Sequence, residues 1–239
     1  MTSIQVRTPF SWLGVLSGVT TRSSDFSFDN PQRDQQIDQL LLQEKCFPQH
    51  VRRAFMRQTH QDHIEVICTQ GWKQPQKEFA ETDGMVTNEP NVFLSALGAD
   101  CASVLIHDEK NRAIGIAHAG WRGTQAQILK KIIQLMHARF GSQAKHLQVG
   151  IGPLIRACCY EVQKDVAQFF KHSVASRDGR LYLDLSKEIQ RQLEENGVSR
   201  RLIRDSGICT MCSQRDFFSF RRMPNETRRH MAFIMLPSN

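Results

Sequence analysis

The chain has 239 residues, 40% of them apolar, and a formal net charge of +7. That length supports one substantial core. A charged-then-apolar leader and an apolar run near 18 residues are both missing from the sequence, so it gives no sign of secretion or membrane insertion and a cytoplasmic protein is expected. Seven cysteines, at 46, 68, 101, 158, 159, 209 and 212, form an odd set without disulfide-framework spacing, which suits a reducing compartment.

In chain order, LGVLSGVTTR reads as a strand, and PQRDQQIDQLLLQ as a short helix beginning near Pro31. Two β-type runs, VRRAFMRQ and HIEVI, flank His60, and a Gln/Lys/Pro-containing loop follows at 70–78. TDGMVT and VFLSALGA continue the strand pattern. ASVLIHD and RAIGIAHAG then form a hairpin around the turn DEKN. TQAQILKKIIQLMHARFG has Thr124 and Gln127 at capping-box spacing, apolar residues at helical period and Gly141 as a stop. LQVGIG reads as a buried strand, EVQKDVAQFFKH and SKEIQRQLEENG as helices, and MAFIML as a strand. Strands in succession mixed with helices predict a single α/β (α+β) domain, a layered mixed sheet with helices packed on it.

Centring the hairpin between Glu109 and Lys110 places Cys101 opposite His118 on one face, close enough for one ion to touch both. A slip of one residue would separate them. His60 and His63 are candidates for a third ligand, whereas His107 lies roughly 20 Å along the strand from Cys101. Spacing alone leaves open a buried thiol beside a hydrogen-bonded imidazole. After His118, HAGWRGT offers a tight strand-to-helix turn whose free amides favour anions, with Arg122 nearby.

Other signals are weaker. VGIGPLIRA lacks the third glycine of a dinucleotide fingerprint. CTMC at 209–212 has redox or metal spacing but no second pair, so two packed cysteines are expected, and the adjacent Cys158 and Cys159 do not readily bridge each other. Arginines crowd the region from Arg200 to Arg229, yet no nucleic-acid motif accompanies them, and no nucleic-acid partner is expected.

GADCASVLIHD, GIAHAGWRGT, VGIGPLIRACCYEV and GICTMCSQRDFFSFRR, in this order, resemble the YfiH-like family, also called the laccase-domain or polyphenol oxidoreductase family. Many of its members are described as purine nucleoside phosphorylases and adenosine deaminases. The resemblance implies zinc held by the histidine of QTH, the cysteine of ADC and the histidine of HAGW, here His60, Cys101 and His118. It also implies purine nucleosides and inorganic phosphate as substrates. The segment TTRSSDFSFDNP departs from the family's glycine-rich stretch, although Arg22 matches, and ETRRHM lacks the family's glycine before Arg229.

Three protein ligands and an open fourth position describe a catalytic zinc. Deamination also needs a carboxylate to shuttle protons, for which Asp100 is the candidate, provided a strand end turns it towards the metal. Phosphorolysis needs an anion pocket, for which Arg22 and Arg222 are the candidates, with Arg222 preferred to Arg221. Three rival readings remain: a cysteine hydrolase or amidase using Cys101 and His118 without metal, a copper polyphenol oxidase, and a zinc-stabilised binding module. Nine histidines without a single HxH pair speak against a multicopper centre.

Overall fold

The computed structural model describes residues 4–7 and 14–238, so Leu13 of the first predicted strand lies outside the described residues. In chain order the elements are β1 (Val6–Arg7), β2 (Leu16–Thr20), α1 (Arg33–Gln43), β3 (Arg52–Met56), β4 (Ile64–Val66), β5 (Gln76–Phe79), β6 (Gly84–Thr87), β7 (Val92–Gly98), β8 (Ala102–Asp108) and β9 (Ala113–Ala119). They continue with α2 (Trp121–Gln125), α3 (Ile128–Phe140), β10 (Gln148–Ile151), β11 (Glu161–Val162), α4 (Lys164–Ala167), β12 (Val174–Arg177), β13 (Arg180–Leu183), α5 (Leu185–Glu195), β14 (Ile203–Asp205) and β15 (His230–Met235).

Two six-stranded mixed sheets, in the orders β1-β2-β15-β7-β3-β5 and β14-β10-β8-β9-β6-β4, stack face to face, and β11-β13-β12 forms a small third sheet. Alternation along the strands explains the stacking. In β8, Val104 and Ile106 pack towards α3 and α5, while Leu105 faces Leu94, Ala96 and Ile234 of the other sheet. On the far side of that other sheet, Phe55, Phe93 and Phe233 pack on Ile37, Leu40 and Leu41 of α1. The order is helix, sheet, sheet, helices, and both central strands of the second sheet are buried along their whole length. Burial on both faces is why ASVLIHD and AIGIAHA read as near-continuous apolar runs. Each fully buried Val, Leu or Ile contributes about 1.5–3 kcal/mol.

The layered mixed α/β fold is the one expected, with local corrections. The β8–β9 register pairs Ser103 with His118 and Ala102 with Ala119, so the hairpin is centred two residues later, summed over both strands, than the turn composition suggests. The helix expected from Thr124 does not form as one piece. Gln127 adopts φ 63°, which breaks it into α2 and α3, and the capping box is absent. Gln192 of α5 donates from its side-chain amide to the Thr124 carbonyl at 2.9 Å, fixing the break. Gly141 ends α3 at φ 71°, as a left-handed C-cap should. Of EVQKDVAQFFKH, only Lys164–Ala167 is helical, because Glu161–Val162 is drawn into the small sheet. β5 lies in the expected loop at 70–78 and β12–β13 form an unforeseen hairpin; both are largely exposed and lack the apolar alternation that marks a strand. Among the described residues no helix is long and apolar enough to cross a membrane.

Candidate metal centre and pocket

The ligand atoms of His60, Cys101 and His118 lie within 4.8 Å of one another at one end of the stacked sheets. Three chain segments deliver them. His118 stands near the end of β9 and points into the space between the sheets. Cys101 immediately precedes β8, after Asp100 has turned the chain at φ 95°. Given the observed register, the two side chains are diagonal rather than directly opposed. A shift of two residues preserves parity, and therefore the shared face. His60 sits in the β3–β4 loop at φ 63°, its ring edge-on to that of His118 with centroids 4.8 Å apart.

Asp83, fully buried just before β6, holds this loop in place. One carboxylate oxygen accepts the amide N–H of His60 at 3.0 Å, and the other accepts those of Thr59 at 3.0 Å and Gln61 at 2.9 Å. The His118 Nδ1–H donates to Asp83 at 2.8 Å, which leaves Nε2 as the nitrogen free to bind a metal. Gln58 adds a second anchor, its side-chain amide paired with both the carbonyl and the N–H of Leu97 at 2.9 Å. Sequence reasoning missed Asp83 and Gln58. The only local sign was an Asp-Gly step ahead of a strand and the glutamine of QTH.

Electrostatics favour a Cys101 thiolate paired with a protonated His118, whose Nε2 proton a bound metal would displace. Burial pushes the Cys101 thiol up, but the charge and hydrogen bond of His118 and those of His60 outweigh it and bring the thiol down to about 6. Burial opposes the His118 imidazolium, which the Cys101 sulfur and Asp83 nevertheless raise to about 9. Asp83 is lowered to about 2: desolvation works against its charge, and the His118 and backbone hydrogen bonds override it. A charged thiolate, two imidazoles and a buried carboxylate behind one of them form a donor set suited to a soft or borderline divalent metal.

Two glycines keep the space open. A Cβ on Gly120 would come within 2.9 Å of the Cys101 sulfur, and one on Gly123 within 2.7 Å of the Gln61 carbonyl oxygen. The HAGWRG run is therefore required by the close approach of its backbone to the cysteine and to the His60 loop.

The three side chains open onto a pocket of about 620 Å³ lined by Phe28, Trp121, Tyr160 and Phe220 and by Arg57, Arg122, Arg221 and Arg229, with Arg57 over Phe28, Arg122 over Trp121 and Arg221 over Tyr160. Of the expected substrate arginines, neither Arg22 nor Arg222 is in that lining. Arg222 donates to the carbonyls of Thr210, Met211 and Phe217 and so clamps its own loop; Arg22 donates to Gln214 O and lies over Phe218. Arg221 faces the pocket instead. Asp100 is in the lining, but its carboxylate accepts Thr210 Oγ1 at 2.6 Å, Ser219 Oγ at 3.0 Å and the Arg221 N–H at 2.7 Å. It is built into the wall rather than standing free beside Cys101.

Residues 19–237 match the family model described as multi-copper polyphenol oxidoreductase laccase. The chain belongs to this family. Among its relatives, the purine nucleoside phosphorylase of Clostridium acetobutylicum is 33% identical over 187 residues, covering 76% of each chain. Purine nucleoside phosphorylase YlmD of Bacillus subtilis is 33% identical over 194 residues, covering 76% of this chain and 69% of that protein. The crystal structure of YlmD from Geobacillus stearothermophilus superposes with a TM-score of 0.85 at 26% identity, over 97% of this chain and 94% of that one. Bacillus licheniformis hypothetical protein YfiH gives 0.86 at 26% identity, over 97% and 98%. The copper in the family's description finds no multicopper ligand set here: among the described residues the two possible metal-holding groups contain two imidazoles and none.

Proposed function

We propose that this laccase-family chain is a zinc-dependent purine nucleoside phosphorylase, cleaving adenosine, inosine, guanosine and methylthioadenosine with inorganic phosphate, that also deaminates adenosine, and that it works in the cytoplasm. The observation that carries the reading is that a His60–Cys101–His118 group able to hold a metal opens onto a pocket whose lining interleaves aromatic rings and arginines. The names of the similar purine nucleoside phosphorylases support the phosphorolysis in this reading.

When bound to His60, Cys101 and His118, zinc supplies a Lewis acid and acidifies water at its open position. The chain's own groups do the rest. Trp121, Tyr160 and Phe28 offer flat faces to a purine. Arg221 and Arg122 bring positive charge to a phosphate. Asp100 positions Arg221 through its backbone N–H, and Asp83 holds the His118 ring so that Nε2 stays directed at the metal.

The cysteine-hydrolase reading retains one favourable observation, the hydrogen-bonded line from Cys101 through His118 to Asp83. It leaves His60, which bonds the same sulfur, without a purpose. Product analysis on adenosine separates the readings. Without phosphate only inosine should form, and with phosphate adenine and ribose 1-phosphate should join it, both routes being lost in His118→Ala. Absence of all three products in metal-replete protein would sink the nucleoside reading, and metal-free hydrolysis of an amide would replace it.

A further inference from the structure

Two cysteine pairs that look unrelated in sequence, Cys158–Cys159 and the CTMC run at 209–212, are brought together by the fold. β10 and β14 run parallel as neighbours, and the pairing continues past their ends through a bridge between Leu154 and Cys209. The Leu154 N–H donates to the Ile208 carbonyl at 3.3 Å, and the Thr210 N–H to the Leu154 carbonyl at 3.0 Å. Asp205, in β14, is paired with Arg156 from the other segment, one of whose bonds is 2.8 Å. Both segments then turn, and the turns face each other.

All four sulfurs lie within 4.8 Å of one another, with Cys212 3.4 Å from Cys159 and 3.7 Å from Cys158. A tetrahedron of sulfurs at about 2.3 Å from zinc has edges of about 3.8 Å. The backbone N–H groups of Cys212 and Arg156 are directed at the Cys209 sulfur, the kind of support a ligating thiolate receives. Three arginines hold the cysteine-bearing turns by their backbone: Arg156 donates to the Ile208 carbonyl, Arg177 to that of Ala157, and Arg222 to those of Thr210 and Met211. A disulfide accounts for less of this, since Cys212 is nearly equidistant from two partners and adjacent cysteines do not readily bridge each other.

We propose that Cys158, Cys159, Cys209 and Cys212 form a second metal site, a closed four-thiolate centre for zinc or a similar soft divalent cation, separate from the open centre at His60, Cys101 and His118. Four thiols lose their protons as the ion binds. The centre fastens the turn that carries Thr210 to the segment that carries Ile155 and Tyr160. Thr210 holds Asp100 and is itself held by Arg222, so the ion secures the pocket wall that presents Phe220 and Arg221. The proposal concerns binding alone and does not depend on the nucleoside chemistry.

The test is metal content on the whole folded chain, with cobalt(II) as a spectroscopic probe. Wild type should hold about two zinc ions per chain, and His118→Ala and the double variant Cys158→Ser/Cys212→Ser about one each. Both substituted cysteines are exposed, and circular dichroism checks that the double variant folds. Cobalt in His118→Ala should give the strong thiolate charge transfer of a four-sulfur site, and cobalt in the double variant that of a single thiolate. Should the double variant not fold, the His118→Ala cobalt spectrum decides alone. One ion per chain in wild type, lost entirely in His118→Ala, overturns the proposal. So does a second equivalent without multiple-thiolate absorption, or a Cys159–Cys212 disulfide found in its place.

Discussion

Gly120→Ala separates the metal centre from the fold that carries it. Gly120 has φ −76° and ψ 178°, a conformation open to any residue, so alanine meets no backbone strain. Its Cβ would stand 2.9 Å from the Cys101 sulfur, against an ordinary contact of at least 3.4 Å, so the sulfur must retreat by about 0.5 Å. The His60 ring, at 3.6 Å, need not move. Metal–ligand distances tolerate about 0.2 Å, so the retreat falls on the metal and not on the core. The expected result is a zinc affinity lower by roughly 10- to 100-fold, the range seen when ligand supports are disturbed. Metal-free stability should stay within about 1 kcal/mol of wild type, since replacing glycine at a compatible position is itself mildly stabilising. Chelator competition measures the first and denaturant unfolding of the metal-free protein the second. Unchanged zinc affinity would refute the placement of Cys101 as a ligand, and collapse of the metal-free fold would refute the claim that the backbone tolerates alanine.

Asp83→Asn keeps the size but sets an amide NH₂ against backbone N–H donors; zinc affinity should fall about 10- to 100-fold, and unchanged affinity in chelator competition would remove Asp83 as the support of His118. Arg221→Ala should raise the KM for phosphate with little loss of thermal stability, whereas Arg222→Ala, which frees three carbonyls, should lower the melting temperature and depress all activities together; the reverse pattern would restore Arg222 as the phosphate ligand. Glu188 is buried, and although desolvation disfavours its charge, bonds from Arg191, Ser173 and Gln192 hold its pKa below the usual carboxylate value. A depressed acid contributes stability that is present above its unfolded pKa, about 4.3, and lost as pH falls through the lower folded value. Glu188→Gln should therefore cost about 1–3 kcal/mol at neutral pH and little at low pH, and an equal loss at both in denaturant melts would show that its charge is immaterial.

Much of this was legible because strand parity and helical period survive small errors. Cys101 and His118 shared a face even though their register was misjudged by two, and α3 stopped at Gly141 even though its start was misplaced. What escaped was set by tertiary partners. Asp83 is tied to His118 across 35 positions and to the His60 loop across more than 20, distances at which spacing carries no signal. That the Arg222 guanidinium is consumed by carbonyls of its own loop, while Arg221 lines the pocket, depends on a loop path that spacing does not announce. Exposed strands such as β5 lack the apolar alternation that announces a strand.

The position of β15 bears on how the molecule is assembled. Its residue Ala232 is paired with Val19 on one side and Ala96 on the other, so this late strand completes the interior of a sheet whose other members come from early in the chain. His60, Cys101 and His118 all precede it by more than a hundred positions. During synthesis the ligands emerge long before the sheet behind them can close, and such non-local pairing is slow to form. The nascent chain consequently carries this thiol and both imidazoles before the strand that completes the sheet behind them has been made.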